Sequence, residues 1–269
     1  MKFVLTNSGW IDENEFNTGF IQSDKTIYEV IRVIDGVGLF LEDHFDRLRN
    51  SVKLQNVDFQ INFSTFKNNL SELISKNSCH TGNVKFILSD EHGEPRWAYL
   101  FIPHSYPSAN EYEQGVATQF LFAERQTPNA KVIQSGLRER ANAAIAEFNL
   151  YEVLLVDNSG LIPEGSRSNV FFVKSGVFYT APGSMVLEGI TRNKVIACIH
   201  SLGFELKEEA IHYSAIAEFD TAFLTGTSPK VLPVKSIGTA IFDVNNLYVE
   251  KLMASYNQTI QEYLDLRKL

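Results

Sequence analysis

Residues 151–172, YEVLLVDNSGLIPEGSRSNVFF, constrain this chain more than any other stretch. Residues 151–156 form an apolar run broken once by Glu152 and read as a buried strand. Asp157-Asn158-Ser159-Gly160 is a cluster of turn residues, after which Leu161 and Ile162 resume the strand. Residues 169–173 form another strand. Between them lies Glu164-Gly165-Ser166-Arg167-Ser168-Asn169, without one apolar side chain. A polar knot between buried strands must satisfy its groups internally or hold a ligand. The residues leave both readings open: a bonded turn in which Glu164 pairs with Arg167, or a binding loop built around the carboxylate.

The rest of the chain supplies a setting for that knot. Residues 27–34 alternate as a strand, Asp35-Gly36 marks a tight hairpin, and residues 37–41 return beside it. The period then changes. Phe45, Leu48 and Val52 place an amphipathic helix over 42–54, with Arg47 beside its apolar stripe. Ser64 is the expected cap of a second helix carrying Phe66, Leu70, Leu73 and Ile74. Strands are expected at 2–6, 84–88, 97–102, 116–122, 177–180, 204–207 and 220–225. Helices are expected at 137–148, 191–202 and 245–266, and 103–115 reads as a polar loop. Hairpins come first, which favours an α+β fold over a parallel sheet. With 269 residues the chain is long enough for two cores, and ERQTPNA suggests a linker at 124–130. The expected domains are 1–123 and 131–269.

Charge and composition narrow the partners. The net charge is −8, and no basic run exceeds two residues, which argues against nucleic acid or an anionic membrane. The opening MKFVLTNSGW turns polar too early for a signal peptide, so a cytoplasmic location is expected. Cys79 and Cys198 lack the spacing of a disulfide framework or zinc site, and no metal is expected.

Four further features carry chemistry in combination. Gly189-Ile190-Thr191 opens a helix, whose first N–H groups and dipole suit an anion as well as an ordinary cap would. Thr225-Gly226-Thr227-Ser228 follows a strand and offers N–H and O–H donors to a phosphate, or forms a plain loop. Arg47 either snorkels to water or reaches a phosphate as a forked donor. Lys131 opens the apolar Val132-Ile133 segment; desolvated there it becomes a usable nucleophile and base, and otherwise it is a surface lysine. An amine, a ring-facing acid and several phosphate donors together match the needs of pyridoxal 5′-phosphate (PLP).

The order of these motifs resembles the class IV aminotransferases, the fold-type IV PLP enzymes that include branched-chain and D-amino acid aminotransferases and aminodeoxychorismate lyase. The matching pieces are Tyr28-Glu29 through Asp35-Gly36, His44-Phe45-Asp46-Arg47-Leu48, Lys131, the Glu164–Asn169 knot, Gly189-Ile190-Thr191-Arg192, and Gly226-Thr227. The resemblance implies a small N-terminal α/β domain and a larger C-terminal domain with a mixed sheet or barrel flanked by helices. It implies a Schiff base at Lys131, Glu164 at the pyridine nitrogen, and phosphate contacts from Arg47, Ile190, Thr191, Gly226 and Thr227. Tyr28, Arg96 and Ser228 would face the substrate. The implied reaction moves an amino group between an amino acid and a 2-oxo acid, in a homodimer. Pyruvate elimination by an aminodeoxychorismate lyase and a non-catalytic PLP-binding protein are the alternatives. Two departures stand out: Ser23-Asp24-Lys25-Thr26 replaces the family's GDG, and Val132-Ile133-Gln134-Ser135 follows the lysine, leaving the partner of the cofactor's 3′ oxygen unassigned.

Overall fold

The computed structural model describes residues 2–17, 26–91 and 94–267, so Ser23, Asp24 and Lys25 of the departing GDG segment lie outside the described residues. Two compact units emerge: Met1–Ser105 with Ala130–Ile133 and Ile260–Leu269, and Tyr106–Asn129 with Gln134–Thr259. Lys131 therefore groups with the first unit, while residues 116–122 group with the second.

The first unit is a six-stranded antiparallel sheet with two helices. Its strands are β1 (Phe3–Thr6), β2 (Gly9–Asp12), β3 (Ile27–Ile34), β4 (Val37–Gly38), β5 (Gly82–Glu91) and β6 (Glu94–Ile102), in the order β2-β1-β6-β5-β3-β4. Asp35 and Gly36 take positive φ, 51° and 81°, which the tight β3–β4 turn requires of them. Along β3 every second residue is buried, so Ile27, Ile31 and Val33 join one core with α1 (Leu41–Leu54) and α2 (Phe63–Asn77). Phe66 sits fully buried in that core, 5.5 Å from the ring of Phe45 and 5.6 Å from those of Phe86 and Tyr99. The cap of α2 is Asn62 rather than Ser64: its Oδ1 accepts the Thr65 N–H at 2.8 Å, and Ser64 lies inside the first turn.

The second unit is built on an eight-stranded mixed sheet. Its strands are β7 (Val116–Phe122), β8 (Glu152–Val156), β10 (Asn169–Lys174), β11 (Val177–Thr180), β12 (Leu206–Glu208), β14 (Thr221–Gly226), β15 (Lys230–Ile237) and β16 (Ala240–Ile241). They run β12-β11-β10-β14-β15-β7-β8, with β16 on β15. The β11–β12, β15–β7 and β7–β8 pairs are parallel and the rest antiparallel. Short β9 (Leu161–Ile162) and β13 (Ile211–His212) pair separately. The helices are α3 (Ala109–Gln114), α4 (Ser135–Phe148), α5 (Ile190–Ser201) and α6 (Leu247–Asp265), the last continuing into the first unit from Ile260. Several elements escaped the sequence pattern, among them α3 and β15. α3 interrupts the expected polar loop, started by a capping box between Ser108 and Glu111. β15 carries Pro233, a residue that reads against a strand, yet it pairs with Phe223 in the ladder. Among the described residues no helix is long and apolar enough to cross a membrane.

Removing the ring at the centre of the first core should open a cavity that its aromatic neighbours fill incompletely. Phe66→Ala is expected to destabilise the protein by about 3–5 kcal/mol. Urea unfolding reads this as a lower midpoint at an unchanged slope.

Candidate active site

In the first unit the geometry centres on Lys131. Its peptide is held from both sides: its N–H donates to Ser51 Oγ on α1 at 3.2 Å, and its carbonyl accepts the Tyr28 N–H at 3.0 Å. An antiparallel bridge joins Ile27 to Val132, and the Ile133 N–H bonds Thr26 O at 3.0 Å. Ala130 and Val132 are buried, so the lysine emerges from an anchored, desolvated segment. Its Nζ lies 4.7 Å from the centre of the Tyr28 ring. Lys85 on β5 reaches the same ring, at 5.1 Å. The pairing of Val30 with Lys85 puts Tyr28 and Lys85 on one face of the sheet, opposite to Glu29.

Glu29 occupies the other face, where its side chain is 0% exposed. A bare carboxylate there would be strongly disfavoured, but Arg47 meets it with two hydrogen bonds, Nε–Oε1 at 2.9 Å and Nη2–Oε2 at 2.6 Å. His44 Nδ1 lies 2.6 Å from Oε2. Burial alone would raise the Glu29 carboxyl's pKa; the charge of Arg47 and the hydrogen bonds from Arg47 and His44 override it and hold it at about 2. Burial keeps His44 below its usual pKa in spite of Glu29, so the neutral ring donates its Nδ1 proton to the carboxylate. Arg47 thus neither snorkels nor stands alone. Its forked edge is fixed by an acid 18 positions away in sequence.

In the second unit the knot is organised by Glu152 on β8. Its Oε1 accepts the Ser166 hydroxyl at 2.7 Å and the Val153 N–H at 2.9 Å; its Oε2 accepts the Arg167 N–H and the Ser168 hydroxyl, both at 3.0 Å. Gly165 is required, since a side chain there would strike Ser168 Oγ and Glu152. Glu164 does not pair with Arg167. Its Oε1 takes Arg125 Nε at 2.7 Å, its Oε2 takes the Leu187 N–H at 3.3 Å, and its side chain is 3% exposed. Arg167 instead bonds Asn142 Oδ1. The knot is thus bonded internally around Glu152, and the cation beside Glu164 is Arg125.

Asn169 joins the knot to the other predicted segments. Its Nδ2 donates to Leu187 O at 2.9 Å, and its backbone pairs with Thr225 on β14. Any side chain on Gly189 would collide with Asn169 Oδ1. Gly189 is the N-cap of α5 and has no side chain to satisfy the first N–H groups of Ile190 and Thr191. Buried Arg192 anchors this helix start, donating to Ala181 O at 2.9 Å and Glu208 at 2.7 Å. Gly226, Thr227 and Ser228 follow at the β14–β15 turn, where a Cβ on Gly226 would lie 3.7 Å from Arg167 O. Thr225 Oγ1 is buried and has no hydrogen-bond partner among the described residues. A glycine-capped helix start, threonine hydroxyls and an orphaned buried hydroxyl form a donor set suited to a phosphate dianion, so these residues fit PLP's phosphate. Glu164, paired with Arg125, fits an acceptor for a ring N–H.

The expected residues are thus gathered as two groups, Tyr28, Arg47 and Lys131 in one unit, and Glu164, Ile190, Thr191, Gly226, Thr227 and Ser228 in the other. Arg96 is exposed on β6 opposite Ser89, on the sheet face that carries Tyr28 and Lys85. Sequence reasoning named Glu29, His44 and Glu152 only as members of motifs or strands and gave them no role, and it did not single out Ser51 and Lys85 around the first group or Arg125 beside the second. A charged residue on the apolar face of a strand was the available signal for Glu29.

The class IV amino-transferase family model matches residues 26–237. The chain is 29% identical over 230 residues to a D-alanine aminotransferase of Bacillus licheniformis, with 78% of each chain covered. It is 24% identical over 235 residues to a branched-chain-amino-acid aminotransferase of Pseudomonas aeruginosa, covering 78% of this chain and 75% of that one. The crystal structure of the branched-chain amino acid aminotransferase of Escherichia coli shares its fold, with a TM-score of 0.86 at 20% identity over 96% of this chain and 94% of that one.

The Glu29–Arg47 pair gives stability a defined pH dependence. Because the folded carboxyl titrates at about 2 against an ordinary 4.5, its contribution is present above pH 4.5 and is lost as pH falls through 2. The difference in unfolding free energy between the parent and Glu29→Gln should change across that window by on the order of 3 kcal/mol. Parallel stability–pH curves for the two proteins would contradict the assignment.

Proposed function

The chain belongs to the class IV aminotransferase family, PLP enzymes that move amino groups between amino acids and 2-oxo acids, and from that premise we propose that Lys131 carries the cofactor. The observation that carries this reading is the anchoring of Lys131 by Ser51 and Tyr28, which aims one amine from a buried backbone. Bound PLP supplies an electrophilic carbon for the amino group and a ring that withdraws electrons from the substrate's Cα–H bond. The chain's residues do the rest. As a free amine, Lys131 Nζ would take the proton from substrate Cα and later give one back, serving as general base and acid. Glu164 would accept a hydrogen bond from the proton-bearing ring nitrogen, and Arg125 orients Glu164 for that task. The N–H groups of Ile190 and Thr191, the Thr227 hydroxyl, the Gly226 backbone and Arg47 bind the phosphate.

On the substrate side, Tyr28 forms a wall, with Ser228 as a further contact. Lys85, against the Tyr28 ring, is better placed than exposed Arg96 to meet a substrate carboxylate. The relatives act on D-alanine and on branched-chain amino acids, so the proposed donors are amino acids with small or branched aliphatic side chains. The proposed working form is a homodimer, which sedimentation would show at twice the chain mass. A screen of single L- and D-amino acids for loss of the bound PLP absorbance identifies the donor and its hand.

Two variants test the assigned roles. Lys131→Ala should bind PLP without a covalent link, so that borohydride no longer fixes cofactor to the chain; persistence of the fixed cofactor would exclude Lys131.

Glu164→Gln keeps the size of the side chain and removes its charge. Each 1.4 kcal/mol of lost transition-state stabilisation slows the reaction tenfold, and losing a buried charge–charge contact should lower kcat roughly a hundredfold or more. PLP should remain bound, since Lys131 and the phosphate donors are untouched. Single-turnover conversion of the PLP form to the pyridoxamine form measures the effect; an unchanged rate would reduce Glu164 to a brace of the turn.

A further inference from the structure

Helix α1 carries three residues of the Lys131 neighbourhood, His44, Arg47 and Ser51, yet it lacks a cap of its own. Its N-cap is Phe40, whose side chain makes no capping hydrogen bond and whose backbone sits at φ 52°, ψ 43°. That left-handed conformation is costly for a bulky aromatic residue and persists where its surroundings impose it. The missing cap comes from 222 positions away. The Tyr263 hydroxyl accepts the Leu41 N–H at 2.9 Å and donates to Glu42 Oε2 at 2.7 Å. The Tyr263 ring meets Phe40 edge to face at 4.9 Å. Arg267 lies over the other part of this assembly, its guanidinium carbon 3.5 Å from the Tyr263 ring centre and its Nη2 2.7 Å from Glu42 Oε1. All of these residues belong to the first unit.

Burial and the Glu42 carboxylate raise the Tyr263 pKa, so the hydroxyl stays protonated and keeps donating. Burial opposes ionisation of Glu42, but Arg267 and Tyr263 together lower its pKa. The acid, the phenol and the guanidinium thus support one another at the end of α1 where the helix dipole is positive, a favourable place for the Glu42 charge.

We infer that Tyr263 is a positioning residue for cofactor binding: with Arg267 it caps α1 from the 263–267 segment and fixes the helix that presents Arg47. The inference rests on the reading in which Arg47 holds the PLP phosphate. Tyr263 itself touches neither cofactor nor substrate in this scheme. It acts by setting where α1 begins and therefore where Arg47, two turns on, directs its guanidinium.

The test is a double-mutant cycle on the holoenzyme, read as the dissociation constant of PLP itself. Tyr263→Phe keeps the ring and removes the capping hydroxyl; with two hydrogen bonds lost and partly replaced by water, the expected weakening is roughly three- to tenfold. Arg47→Lys keeps a cation opposite Glu29 and loses the fork; it should weaken PLP about tenfold. If Tyr263 acts through Arg47, its effect shrinks in the Arg47→Lys background. A merely structural tyrosine would lower the melting temperature while leaving PLP affinity unchanged, or would give additive effects, and either result overturns the inference. Arg267→Gln, which leaves the hydroxyl in place, should show a smaller loss in the same direction and replaces Tyr263→Phe if that variant does not fold. Weakened binding in Arg47→Lys with none in Tyr263→Phe sinks the cap alone. Unchanged binding in Arg47→Lys removes the phosphate role and the inference with it.

Discussion

One carboxylate organises the knot on which the second unit's chemistry depends. Glu152 sits on β8, 3% exposed, and takes four donors from the chain that follows. A polar group at that depth is unfavourable unless its oxygens are hydrogen-bonded, and here two serine hydroxyls and two backbone N–H groups bond them. The arrangement works in both directions. The serines and the backbone of the knot gain a strong acceptor, and the acid gains a solvation shell made of protein. Glu164 itself is then left to face Arg125 and the Leu187 N–H rather than to stabilise its own loop.

The first unit solves a similar problem by a different route. Glu29 projects from the buried face of β3 into a core of aliphatic and aromatic side chains, and Arg47 and His44 on α1 come to it. The acid ties helix to sheet at one definite angle, because a forked pair has little rotational freedom. Ser51, one turn further along α1, then holds the backbone of Lys131. A single helix face therefore sets the place of a cation and of an amine.

The sequence was legible where the signal is local. Alternation located β3 and the heptad-like spacing located α1 within a residue, and the turn residues around 157–160 and 35–36 fell where chain reversals occur. Elements whose local signal is contradictory were lost, as with β15 and its internal proline. At the candidate site, the residues that offer chemistry were found as types and motifs: lysine, acid, glycine-capped helix start, threonine loop. Their partners were not, since Arg125 lies 39 positions from Glu164 and Arg47 lies 18 from Glu29. Pairing over such separations is decided by the fold and leaves no spacing to read. The notion that Glu164 would pair with Arg167 shows the bias plainly: a near neighbour in sequence was chosen over a distant one in space.

The loop that bears Lys131 has a closed neck. Residues 130–133 cluster with the first unit, while on either side of them Gln126 and Gln134 bond each other's backbone and side chain within the second, the Gln126 N–H donating to Gln134 Oε1 at 3.2 Å and Gln134 Nε2 donating to Gln126 O. The ends of the excursion are thus pinned together, and its middle is pinned again by Ser51 and Tyr28. Surface loops ordinarily tolerate added residues because closure entropy grows slowly with length. This one has fixed length at its neck and fixed register at its tip, so a one-residue insertion or deletion would rotate the lysine off its ring or break the glutamine clasp. Residue identity can drift along this segment more easily than residue number.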